Sequence, residues 1–188
     1  AENKESEFNS LIQKSYDFTL AVSLPMTVGL IFCAPSLITA LCGEKFESSI
    51  LPSQIIAPII LMVAISNVFG IQVLFPKGKL NIVTLCCGIG AVADLLLNLC
   101  LIPFFSYVGT SIAYLGAEVA TTVSMYFIGK KYIPITYFKK SHLLYLGGCI
   151  LMAFALYAIS GLNLPVLVIL IIQGCSGVLL YLVFLLLC

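Results

Sequence analysis

The chain has 188 residues, 61% of them hydrophobic and 9% charged, with a formal net charge of +1 and a mean hydropathy of +1.15. A water-soluble domain carries roughly 25% charged residues, so composition places this sequence among integral membrane proteins. The near-neutral balance excludes the basic patch that nucleic-acid binding needs, and every cation is Lys, with no Arg to grip a phosphate bidentately.

The opening, AENKESEFNS, is acidic and polar. It lacks the basic and apolar regions of a signal peptide. The chain begins at Ala1 and stops inside the apolar run LLYLVFLLLC, which predicts a piece of something longer. Residues 1–16 form an amphipathic, interfacial segment. Phe8, Leu11 and Ile12 at i, i+3, i+4 place it along the inner surface or as an extension of the first span.

Residues 17–188 read as an all-α integral membrane fold, a six-helix transmembrane bundle. A span needs about 20 apolar residues. Six stretches qualify, at about 17–42, 50–75, 80–105, 108–129, 141–160 and 164–188. The breaks GEKFES, PKGK, SY, KKYIPITYFKK and GLN are short, so successive helices are expected to be antiparallel hairpins. With the N-terminus inside, the inner side receives Lys4, Lys14, Lys77, Lys79, Lys130, Lys131, Lys139 and Lys140, and the outer side only Lys45. The excess of lysine on one side orients both termini to the cytoplasm.

Pro25, Pro35 and Pro58 lie deep enough in their spans to kink them, as a bundle that bends or encloses a cavity requires. Gly and Pro are also common in membrane helices of no special function. Six of the eight Cys sit in apolar runs without metal-type spacing and read as small buried thiols that pack helices. No metal site follows from them.

Within the third and fourth spans stand Asp94, Asn98 and Glu118, with no Lys or Arg between them. The turn joining these spans centres on Ser106. Asp94 lies twelve residues before it and Glu118 twelve after, so both sit roughly 18 Å below the outer turn. That depth is slightly past the middle of a hydrocarbon core about 30 Å thick. A carboxylate there costs about 2.5–3.5 kcal/mol on insertion scales. It is therefore protonated, faces a wet cavity, or pairs with a cation from elsewhere. All three outcomes suit a transporter, coupled to H+ or Na+. Asn98 follows Asp94 by one turn on the same face. Asn67 and Gln72 are further candidates to line a cavity. Helix-to-helix hydrogen bonding is the competing role for all of these polar residues.

The sole histidine, His142, stands beside Lys139 and Lys140 and reads as interfacial. GIGAV at 88–92 lies inside a span and lacks the strand and Lys of a phosphate loop. No catalytic constellation is readable, so an enzyme is not expected.

Three stretches carry a family resemblance. SLPMTVGLIFCAPSLITALCGEKFESS (23–49) resembles the first helix of a repeat in polysaccharide flippases, through Pro25, Gly29, Leu41, Gly43 and Phe46. VLFPKGK (73–79) resembles an inner loop of that family. NLCLIPFFSYVGTSIAYLGAE (98–118) matches best, on Asn98, Leu101, Ile102, Pro103, Gly109, Ala113 and Glu118. Beyond residue 130 only hydropathy agrees. Thr110 and Ser111 stand where the family usually has Ala, and Asp94 where it has a neutral residue.

The resemblance implies the C-terminal half of a polysaccharide or oligosaccharide flippase, within the multidrug/oligosaccharidyl-lipid/polysaccharide exporter superfamily. Such a protein has two repeat-related six-helix bundles around a central cavity. It would move a polyprenyl-diphosphate-linked oligosaccharide from inner to outer leaflet by alternating access, in a bacterial inner membrane. Its partners would be that substrate, the membrane lipids and a missing N-terminal bundle carrying the cations a diphosphate needs. Three other readings stay open: a cation-coupled multidrug exporter, a non-transporting subunit of a polysaccharide assembly complex, and a membrane glycosyltransferase or polymerase. The short outer loops leave little room for the last.

Overall fold

A computed structural model of the chain describes residues 2–136, 139–162 and 164–187, side chains of residues 2–4 excepted. The described residues are helical almost throughout and include five helical stretches long and apolar enough to cross a membrane. Helices suit this composition because hydrocarbon offers backbone N–H and C=O groups no water, and a helix satisfies them internally.

Helix α1 spans Glu2–Cys42. At 1.5 Å per residue its 41 residues extend about 60 Å, twice a bilayer's hydrocarbon thickness. Its first half therefore projects past the membrane. Pro25 and Pro35 both lie within α1. The stripe Ile12, Tyr16, Leu20 is buried, with Phe8 packed beside it, at a strict four-residue spacing. Leu11, expected on the apolar face, is 58% exposed. The difference has a simple cause: the segment packs against protein and not a flat lipid surface, so its apolar stripe is narrower. Its partners are Val68, Phe69, Val73, Leu74, Met125, Ile133 and Ile135, which form the inner core.

After Gly43 comes a 3-10 turn, Glu44–Ser49, then α2 (Ile50–Ile56) and α3 (Ile59–Asn67). Pro58 separates the last two, where it cannot donate to the helical ladder. A π-helix, Val68–Leu74, continues α3.

Helix α4 runs Leu80–Gly129 and is interrupted at Ser106, whose φ of 50° and ψ of −128° leave the helical region. The two arms lie against each other. A Cβ on Gly109 would sit 2.6 Å from the Leu101 carbonyl oxygen, and one on Gly116 2.6 Å from Leu97 Cδ1. One on Gly90 would collide with Thr121 Oγ1. Only glycine lets the arms approach this closely at positions 90 and 109.

Helix α5 (Lys140–Ser160) and α6 (Val166–Leu187) complete the chain. They pack on α1 through Cys149, Met152, Leu156 and Tyr181. The Tyr181 hydroxyl donates to the Ala21 carbonyl at 2.7 Å, fixing α6 to α1.

Candidate functional site

The arms of α4 meet in a regular register: 90 with 121, 97 with 116, 101 with 109. Asp94 and Glu118 fall on facing turns within it. Both line one cavity of about 500 Å³ with Asn67, Gly70 and Ile71 on the α3–π-helix wall and Tyr114, Thr121 and Met125 on the second arm. Each carboxylate is half-buried. Among the described residues neither has a salt-bridge partner.

Asn98 holds the first carboxylate in place. Its amide donates to Asp94 Oδ1 at 3.0 Å and to the Asp94 carbonyl at 2.9 Å. The side chain that follows Asp94 by one turn thus contacts Asp94 and is not among the residues that line the cavity. Thr121 turns its hydroxyl back onto the Ala117 carbonyl at 3.0 Å. Thr122 donates to the Met62 carbonyl at 3.2 Å, which ties the second arm of α4 to α3.

Gln72 lies elsewhere than expected. It is absent from the cavity wall that Asn67, Gly70 and Ile71 form, and its Oε1 accepts from Ser15 Oγ on α1 at 2.6 Å. His142 stands in the first turn of α5, beside Lys139 and Lys140. It is buried, and its Nε2 lies 3.1 Å from Asp17 Oδ1. Lys139 Nζ reaches Asp17 Oδ2 at 2.7 Å, and Gln13 Nε2 donates to Asp17 Oδ1 at 2.7 Å. Gln13 also accepts from the Thr136 backbone N–H at 2.7 Å.

This cluster of Asp17, Lys139, His142 and Gln13 is not legible in the sequence, because its two halves, Gln13 with Asp17 and Lys139 with His142, lie more than 120 residues apart. The one available signal was Asp17 itself, a carboxylate at the inner start of an apolar run. Lys77 belongs to the same end: its Nζ donates to the Tyr132 carbonyl at 2.9 Å, and Lys79 stands over the Tyr132 ring at 5.0 Å.

No protein-family model and no curated protein matches this sequence. A solved structure does match: "Lipid II flippase MurJ, inward closed conformation", with a TM-score of 0.83 over 97% of this chain at 18% identity. The chain shares its fold with part of MurJ. It spans 39% of the length of that protein. The MurJ-like arrangement and the five apolar helices together describe an all-helical, multi-pass membrane fold.

Proposed function

We propose that this chain is a six-span bundle of a membrane transporter that moves a polyprenyl-diphosphate-linked oligosaccharide from inner to outer leaflet by alternating access. The observation that carries the reading is the shared cavity of Asp94 and Glu118 within a fold also found in a lipid II flippase. Ser106 divides α4 into two spans, which brings the five apolar stretches to six, in antiparallel order. Both termini are cytoplasmic in this reading, because Lys77, Lys79 and Lys139 gather around the projecting half of α1 and Lys45 lies at the opposite end.

The chemistry follows from what the substrate must cross. A sugar and a diphosphate need hydrated polar walls, while the lipid tail stays in hydrocarbon. Asp94 and Glu118 supply charge at mid-depth without an internal cation, and so they take a proton or Na+ as coupling ion and release it when the path reopens. Pro58 and the break it makes give the α2–α3 wall freedom to bend. A second, cationic bundle of the polysaccharide flippase type would face the diphosphate.

The acidic cavity also favours a second reading, a cation-coupled exporter of positively charged drugs. One comparison separates the two. In a host whose surface polysaccharide depends on this gene, Asp94→Asn and Glu118→Gln are expected to abolish polysaccharide export and leave drug sensitivity unchanged. Raised sensitivity to cationic drugs with intact polysaccharide selects the exporter. Wild-type behaviour in both assays removes the coupling role and leaves a non-transporting subunit.

A further inference from the structure

The π-helix Val68–Leu74 divides its residues between two regions. Gly70 and Ile71, with Asn67 just before them, line the carboxylate cavity. Phe69, Val73 and Leu74 are buried in the inner core, where the Phe69 ring stacks on Tyr16 at 6.2 Å. Gln72 is pinned to Ser15 of α1. The wide turn is explicit in the backbone: the Phe75 N–H donates to the Gly70 carbonyl, five residues back, at 2.8 Å. Such turns are rare, and they tend to occur at functional sites.

We propose that this π-helix is a joint whose register couples the carboxylate cavity to the inner end of α1. Tightening from π to α removes one residue from the turn and rotates one flank against the other by about 100°. If the cavity wall stays, Gln72 leaves Ser15. If Gln72 stays, Gly70 and Asn67 leave the cavity. The two ends therefore cannot both keep their contacts, and the joint has two discrete settings. Its core side is tightly held, with Val68, Val73 and Leu74 fully buried, and the room to move lies on its cavity side. A Cβ at Gly70 would meet Met125 Sδ at 3.3 Å, the end of a flexible side chain, and Ile71 is 64% exposed. The inference rests on the transport reading for its purpose, and on this geometry for its existence.

Hydrogen exchange of the chain in lipid nanodiscs tests it directly. Amides of residues 70–75 are expected to exchange faster than those of α3. Ser15→Ala should speed them about fivefold further, the weight of one part-buried hydrogen bond. Deleting Ile71 should slow them to the rate of α3, because the shortened turn closes as α-helix. Glu118→Gln should change the rate at 70–75 by at least about twofold. Where the deletion variant does not fold, Gln72→Ala replaces it and should match Ser15→Ala. Equal exchange in α3 and the π-helix, or no response to Ser15→Ala, overturns the joint; no response to Glu118→Gln overturns its coupling to the cavity. None of these rates depends on which cargo the protein carries, so a failed export assay leaves them to be judged separately.

Discussion

Asp94 is a residue whose chemistry and stability pull in opposite directions. A carboxylate within an apolar, membrane-crossing stretch is costly, and Asn98 satisfies only part of its hydrogen-bonding capacity. Asp94→Asn is therefore expected to raise the thermal unfolding midpoint in detergent by a gain of about 1 kcal/mol or more, while removing the charge we propose for coupling. A lower midpoint would instead make the carboxylate a structural anchor. Asp17 should behave in the reverse way. It receives Lys139, His142 and Gln13 at once, and Asp17→Ala leaves a half-buried cation without its partner. A loss of about 1–3 kcal/mol is expected, read as a lowered midpoint, with Lys139→Met losing less because no carboxylate-free cation remains. The contrast between these residues also shows what a sequence can reveal. The depth of Asp94 and Glu118 follows from rise per residue alone, so their shared level was legible. The partners of Asp17 depend on how distant segments fold back, and no local pattern records that.

The pairing of the α4 arms depends on small residues placed to match each other. Gly90 faces Thr121 and Gly109 faces the Leu101 carbonyl, with no room for a side chain at either position. Gly90→Leu is expected to splay the arms at the level of the carboxylates, costing roughly 1–3 kcal/mol by overpacking and exposing Cys86, buried one turn before it on the same face, to faster thiol labelling. Unchanged labelling would mean that the arms already separate freely. The existence of these arms was readable from the apolar runs and the SY break between them, because length and hydropathy set a span. The narrow stripe on α1 and the position of Gln72 were not readable. The first depends on α1 packing against protein, and the second on Ser15 of distant α1 coming to meet the Gln72 side chain.

At the scale of the whole molecule, two groups of polar residues stand apart: a layer around the first half of α1, which we take as the inner one, and the carboxylate site between the arms of α4. The inner layer joins α1 to both lysine-bearing segments, through Ser15 to Gln72, Gln13 to Thr136 and Asp17 to Lys139. It also lies over the apolar core of Tyr16, Phe69, Leu74 and Met125, which stands between it and the carboxylates. A chain stopped after Ile135 would keep the carboxylate cavity and lose the Asp17 ion pair. Trypsin is expected to cut such a chain at Lys14 several times faster than the intact one, in sealed vesicles with that face outward. Equal cutting would show that α1 holds its place without the later segments. The distance along the chain between Asp17 and Lys139, 122 residues, also sets an order of events during synthesis. A ribosome adding about 5–20 residues per second needs roughly 6–25 s to deliver the lysine after the aspartate. For that interval the long first helix is already made while its anionic anchor point still awaits its lysine, and a chaperone or a membrane insertase has that much time to engage it before the protein closes its own clasp.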